Sequence, residues 1–196
     1  MRDVSLRSYT NRWAKEFQLS HDEAYGRLRA LSDAGVLESG GPKGTGKSKP
    51  ATPSNWVMLM LALMGSDTKV GAGTRAPELA QLPDVTHTVD EHTGAPGTNR
   101  LPAPEHRRKP LTNGQQHAQL HDVLVRAITD ARYQGVVADL EVSRWRPQAW
   151  LRLREPSGNR QTEMVFATRP LTDVVADNTV RLSGWAFDRF IDDFAD

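Results

Sequence analysis

One helix start in this chain is fixed by a short sequence signal. Ser20 is followed three residues later by Glu23, the pairing of a capping box, in which each side chain accepts a hydrogen bond from the other residue's backbone N–H. A helix that begins after Ser20 carries an apolar stripe at spacings of four and three, namely Ala24, Leu28 and Leu31. Gly35 supplies the left-handed residue that often ends a helix. The sequence therefore predicts an amphipathic helix between Ser20 and Gly35.

A second, shorter helix is predicted immediately before it. Residues 10–17 have apolar side chains at helical spacing, and Leu19 falls in the tight turn between the two helices. The apolar pair Val36 and Leu37 follows Gly35. Two short helices joined by a tight turn, the second ending in Leu-x-x-Ala-Gly-Val-Leu, make a pattern that many DNA-binding regulators share.

These residues resemble the winged helix-turn-helix proteins over roughly residues 4–60. The segment RWAKEFQLSHDEAYGRLRALSDAGVLE is similar to a second helix, turn, recognition helix and first wing strand. The segment GGPKGTGKSKPATPSNWVMLMLAL is similar to a basic wing that leads into a helix, as in MerR-like proteins and the DNA-binding domains of phage small terminase subunits. The resemblance implies double-stranded DNA as the partner.

The face of the recognition helix opposite its apolar stripe supplies the expected contacts. Such a helix lies in the major groove and reads base edges, while residues of the wing contact the phosphate backbone. The side chains expected to contact DNA are His21, Tyr25, Arg27 and Arg29 on the helix, with Lys43, Lys47 and Lys49 on the wing. The alternative is an ordinary helix pair whose charged face is only solvated.

The glycine-rich segment also matches a nucleotide-binding pattern. Gly41–Ser48 fits G-x-x-x-x-G-K-[ST] and resembles the Walker A motif of P-loop ATPases, which would place Lys47 on the β/γ phosphates and Ser48 on magnesium. That motif requires a strand before the loop and a helix directly after it. Pro50 and Pro53 disturb the first turns of such a helix. We therefore favour a basic wing, with a small P-loop NTPase as an alternative.

Composition divides the chain into three parts. Residues 1–66 are predicted to be a mostly helical winged helix-turn-helix domain, residues 67–110 a flexible linker rich in Gly and Pro apart from a short helical turn, and residues 111–196 a second domain. Residues 1–50 carry nine Lys/Arg against six Asp/Glu, whereas residues 171–196 carry two against six. The excess of positive charge in residues 1–50 favours an anionic partner for that part of the chain.

The second domain is predicted to be α+β. A helix capped by Thr112 or Asn113 and ending near Tyr133 precedes three strands, at 136–142, 149–154 and 162–167. Ser183 caps a last helix. This order of helices and strands predicts a three-stranded antiparallel meander flanked by helices. We expect this domain to mediate homo-oligomerisation or contact with a protein partner. The whole chain is then an α+β protein.

These features favour a non-enzymatic, cytoplasmic DNA-binding protein, a bacterial or phage transcriptional regulator. Alternatives are a phage small-terminase-like packaging subunit, the P-loop NTPase, and a structural or inhibitory interaction protein. No cysteine occurs, which excludes disulfides and thiolate zinc sites. His117 and His121 have the i, i+4 spacing of a chelating pair but lack the glutamate of the H-E-x-x-H arrangement, so no metal or cofactor is expected. The apolar run 56–64, roughly nine residues, is too short for a bilayer.

Overall fold

The computed structural model describes residues 5–38, 51–85, 118–130, 135–154, 161–168 and 178–195. Within these ranges the chain is α+β, as the sequence predicts, with six helices and one four-stranded antiparallel sheet. The elements in chain order are α1 (Leu6–Glu16), α2 (His21–Asp33), α3 (Pro53–Gly65), α4 (Ala72–Ala80), α5 (Leu120–Thr129), β1 (Val137–Ser143), β2 (Gln148–Arg154), β3 (Gln161–Ala167), β4 (Thr179–Ser183) and α6 (Gly184–Ala195).

Helix α2 has the ends and the buried face that its sequence predicts. The Ser20 hydroxyl accepts from the Glu23 backbone N–H (3.2 Å), and the Glu23 carboxylate accepts from the Ser20 N–H (2.9 Å), so the capping box is complete. The predicted apolar stripe is buried. Gly35 has a φ of +71°, which an L side chain rarely adopts. Helix α1 begins at Leu6 rather than near Thr10, because buried Leu6 and Tyr9 extend its packed face.

Helix α3 lies at the centre of the molecule. Thr52 caps it by accepting from the Asn55 N–H (3.2 Å), and Pro53 occupies the first helical position, where no N–H is needed. Every residue from Asn55 to Gly65 is buried. A helix that is apolar on all sides must be surrounded, and α3 contacts α1, α2, α4, α5, β1 and β4. No helix in the described ranges is long and apolar enough to cross a membrane.

Helix α4 lies inside the segment that composition predicts as a linker. Ala72, Ala76 and Leu79 are fully buried, so residues 72–80 are part of the folded core rather than a flexible connection. Gly73 permits the packing, because a Cβ there would stand 2.8 Å from the Ala30 carbonyl oxygen of α2. The short helical turn expected at 76–82 is thus a nine-residue helix that begins four residues earlier. Residues 86–110 lie outside the described residues, and the linker as a whole stays a prediction.

The sheet has the strand order β3-β2-β1-β4, one strand more than the predicted meander. The first three strands agree with the predicted ranges within one residue, and the added strand β4 pairs with β1, Leu140 opposite Leu182. Leu140 also faces Leu151 of β2, and this row packs against the helices. The preceding helix α5 begins at Leu120 and not after Thr112 or Asn113, because Gln119 is extended. It ends at Thr129, short of the predicted Tyr133, because Asp130 is extended.

The helices and the sheet share one hydrophobic cluster. It includes Leu31 of α2, Leu61 of α3, Leu124 of α5, Leu140 of β1 and Phe187 of α6, all at most 1% exposed. The described parts of 1–66 and 111–196 therefore pack on each other, although the three-part division of the whole chain stays a prediction.

Candidate functional site

The outer face of α2, opposite its buried stripe, carries His21, Asp22, Tyr25 and Arg29, all exposed. Tyr25 is 37% exposed and is held by its neighbours. Its ring stacks on the His21 imidazole, with the centroids 6.1 Å apart and an interplanar angle of 29°. The Arg7 guanidinium of α1 lies 5.1 Å from the centroid of the Tyr25 ring, within cation–π range. Arg7 therefore adds a cation to this face that the sequence pattern did not reveal.

Arg29 is the most accessible cation on the outer face of α2. Its side chain is 76% exposed, and its Nε lies 3.6 Å from an Asp33 carboxylate oxygen, one helical turn away. Asp33 is 72% exposed, and an ion pair between two such exposed groups contributes at most a few tenths of a kcal/mol. The guanidinium can therefore leave Asp33 for another anion at little cost.

Arg27, the fourth side chain expected to contact DNA, is not on this face. It is 3% exposed, and its guanidinium donates to the Ser66 carbonyl from Nε (3.4 Å) and from a terminal nitrogen (3.0 Å). Burial lowers the pKa of the Arg27 guanidinium below its ordinary value. Arg27 follows Ala24 by three residues and precedes Leu31 by four, which places it on the buried stripe. The expected DNA contact is wrong: Arg27 is structural.

A second arginine reaches the same end of α3. The Nε of Arg144, in the turn between β1 and β2, donates to the Met64 carbonyl (3.2 Å), and its terminal nitrogen pairs with Asp67 (3.3 Å). The last carbonyls of a helix have no intrahelical donor, and cations stabilise that end. Arg27 and Arg144 together thus connect α2 and the sheet through the C-terminus of α3.

The loop after α3 also covers part of α2. The Lys69 side chain lies against Gly26, where a Cβ would stand 2.6 Å from the Lys69 Cδ. Lys69 itself is exposed, so the outer face of α2 continues into a further cation. The helical periodicity of α2 carries no signal for Lys69, because it comes from a loop more than forty residues along the chain.

The residues that flank the Gly41–Ser48 segment do not have the Walker A arrangement. Thr52 is extended (φ −68°, ψ 154°), and α3 begins only after it. A phosphate-binding loop requires its helix to begin at the Lys-Ser pair itself. On the other side, residues 36–38 form no strand, so the first wing strand expected there is also wrong for these residues. The segment, with Lys43, Lys47 and Lys49, lies outside the described residues.

No group of three or more potential metal ligands occurs among the residues that the structure describes. His121 is engaged with other partners: its Nε2 lies 3.1 Å from the Ser54 hydroxyl, and its Nδ1 lies 3.1 Å from an Asp122 carboxylate oxygen. His117 lies outside the described residues.

The face of the sheet turned away from the helices carries a closed charge network. Asp139 is 2% exposed and accepts from Arg152 (2.9 Å) and Arg181 (2.7 Å). Arg152 also pairs with Glu141 (3.1 Å) and Glu163 (2.8 Å). Each buried oxygen of Asp139 thus has a donor, which is the requirement for burying a charge. We assign this network to the stability of the sheet.

Comparison of the chain with protein-family models, with curated proteins and with solved structures found no match. A function can therefore be proposed only from the residues of this chain.

Proposed function

We propose that this chain is a non-enzymatic protein that binds double-stranded DNA through the outer face of α2, as a bacterial or phage transcriptional regulator. One observation carries the proposal. Helix α2 is packed from behind by α1, α3 and α4, while its opposite face remains in solvent and presents Tyr25 and Arg29. A helix fixed in this way by a second helix and a tight turn has the form of a recognition helix.

The chemistry of the outer face suits the edges of bases and the phosphates beside them. Arg29 can donate two hydrogen bonds to guanine or contact a phosphate, and Tyr25 can reach a phosphate or a thymine methyl. His21 lies in the first turn of α2, the part of a recognition helix that contacts bases most often. Asp22 beside it repels phosphate but can accept from the amino group of cytosine. A face that carries both positive and negative side chains favours contacts with base edges over sequence-independent attraction to phosphates.

The segment between α2 and α3 supports the same assignment. Residues 39–50 contain Lys43, Lys47 and Lys49 and no acidic residue. Cations that contact phosphates supply sequence-independent affinity, which falls steeply with salt. We assign the phosphate contacts to these lysines and the base contacts to α2.

Fluorescence anisotropy of the full chain on a mixed-sequence duplex, titrated at several salt concentrations, tests the proposal. We expect affinity to fall with salt, and Arg29→Ala to weaken binding by about 1–3 kcal/mol if it contacts a base. The matched control is Arg126→Ala, which removes an exposed arginine from α5 and should leave affinity unchanged. Absence of binding at low salt, or equal losses in both variants, contradicts the proposal.

The assembly state separates a regulator from a packaging subunit. A regulator that reads a short palindrome is expected to be a dimer with two-fold symmetry, whereas a packaging subunit forms a ring. Native mass spectrometry of the full chain distinguishes the two. A dimer supports the regulator, and a closed ring would replace it with the packaging role while leaving the DNA-binding face of α2 in place.

A further inference from the structure

The turn between β1 and β2, residues 144–147, presents an exposed tryptophan beside an exposed arginine. We propose that this turn is a second contact to the DNA bound by α2, with Trp145 lying against the nucleic acid and Arg146 beside a phosphate. This inference rests on the proposed function, because it names a further part of the same interface.

The backbone of the turn is held in place. The Arg75 guanidinium of α4 donates to the Ser143 carbonyl (3.1 Å) and to the Arg146 carbonyl. The Arg146 N–H donates to the Ser143 hydroxyl (3.1 Å), and the Arg144 N–H donates to the Asn178 carbonyl (3.2 Å). A turn fixed by this many hydrogen bonds loses little further entropy when a partner binds.

Trp145 nevertheless remains in solvent. It is 68% exposed, whereas Trp13, Trp56 and Trp150 are at most 6% exposed. An indole offers more apolar contact area than other side chains, and tryptophan is enriched among residues that dominate binding interfaces. A rigid turn that keeps its largest side chain out of the core is therefore suited to contact a partner.

The turn is joined to the outer face of α2 through the loop after α3. Arg144 pairs with Asp67 at one end of that loop, and Lys69 lies against Gly26 of α2 at the other. Arg27 and Arg144 bind neighbouring carbonyls at the end of α3. The exposed residues 67–69 of this loop thus link α2 to the turn.

The charges of the turn identify nucleic acid as the partner. The sequence from Ser143 to Gln148, SRWRPQ, has two arginines and no acidic residue. Arg144 pairs with Asp67, and Arg146 is exposed. An aromatic ring beside a guanidinium can pack on a sugar of the duplex while the cation contacts phosphate. A protein partner on the same turn is an outcome that the experiment below separates.

Acrylamide quenching of tryptophan fluorescence tests the contact directly. Trp185 is the other exposed tryptophan (55%), so Trp185→Phe leaves Trp145 as the accessible reporter while three tryptophans stay buried. We expect saturating duplex to lower the quenching constant of this variant about twofold or more. The matched variant Trp145→Phe, which reports on Trp185, should show no protection. Unchanged quenching of the Trp185→Phe variant, with DNA bound by anisotropy, overturns this inference alone.

Affinity measurements complete the test. We expect Trp145→Ala to weaken binding of the duplex about five- to hundredfold, Trp145→Phe to retain most of the affinity, and Trp185→Ala to have no effect. If Arg29→Ala weakens binding but Trp145→Ala does not, the turn serves another partner and only the second contact is wrong. If the unmodified chain does not bind DNA at all, both proposals are wrong.

Discussion

Helices α2 and α3 have thirteen residues each and opposite relations to solvent. Helix α2 buries one stripe and keeps an outer face exposed, whereas α3 buries every residue from Asn55 to Gly65. This difference explains how the fold leaves one face of α2 exposed. Because α3 fills the centre and contacts both the first helices and the sheet, α2 can be fixed from one side and leave the other side free.

The largest expected effect is on α3. Leu61 is fully buried within the shared core, so we expect Leu61→Ala to lower the free energy of unfolding by about 2–5 kcal/mol. Urea denaturation should be followed both by far-ultraviolet circular dichroism and by tryptophan fluorescence. Because α3 contacts both halves, we expect the two probes to give the same midpoint.

Arg29→Ala on the outer face of α2 is the control for this comparison and should change the free energy of unfolding by no more than about 0.5 kcal/mol. Two separate transitions, one for the helices and one for the sheet, would contradict the shared core. The composition-based division into independent domains would then be correct.

A smaller effect distinguishes two arginines on α2 itself. Arg27→Met removes the donor of the Ser66 carbonyl, and we expect a loss of about 1–3 kcal/mol in the free energy of unfolding. Arg29→Met removes only an exposed ion pair, and the expected loss is below about 0.5 kcal/mol.

DNA affinity should respond to these two arginines in the reverse order. Corrected for the unfolded fraction, Arg27→Met is expected to bind nearly as well as the unmodified chain, while Arg29→Met binds more weakly. If the same variant showed the larger loss of both stability and DNA affinity, the two faces of α2 would not have separate functions.

The smallest effect concerns the start of α2. Hydrogen bonds from the Ser20 backbone and side chain hold the pKa of Glu23 below its ordinary value of 4.5. A depressed folded-state pKa contributes stability that is present above the unfolded pKa and is lost as the pH falls through the folded value. We therefore expect the unmodified chain to lose stability relative to Glu23→Gln below about pH 4.5. The urea denaturation midpoints of both proteins at pH 6 and pH 3.5 measure this loss. A difference between the two midpoints that is the same at both pH values would contradict the prediction.

Local signals were sufficient for α2 and for most of the sheet. The capping box, the apolar spacing and Gly35 placed α2, and alternating patterns placed β1, β2 and β3 within one residue. The position of Arg27 was also available from the spacing, since it shares a stripe with Ala24, but its charge suggested the solvent side. Arginine can be buried when carbonyls accept its hydrogen bonds, and one of these carbonyls, that of Ser66, comes from a distant part of the chain.

Other features depend on distant contacts that no local window contains. Helix α4 has glycine near its start and Pro77 inside it, which is typical of a loop, and it is stable because α2 and α3 pack on it. Strand β4 has only five residues, and its last residue, Ser183, also suits a helix cap. The contacts of Arg7 with Tyr25, of Lys69 with Gly26 and of Arg144 with Asp67 likewise follow from packing.

The burial of α3 has a consequence for the order in which the chain is made. The ribosome synthesises α3 well before β1, whose side chains cover it in the folded protein. At about 5–20 residues per second, the chain between Gly65 and Val137 takes roughly 4 to 14 s to appear. During that interval α2 can expose its polar face to water, but α3 has no polar face. The helix that unites the folded protein is therefore its most aggregation-prone segment during translation, and a fragment that ends before β1 retains that hazard.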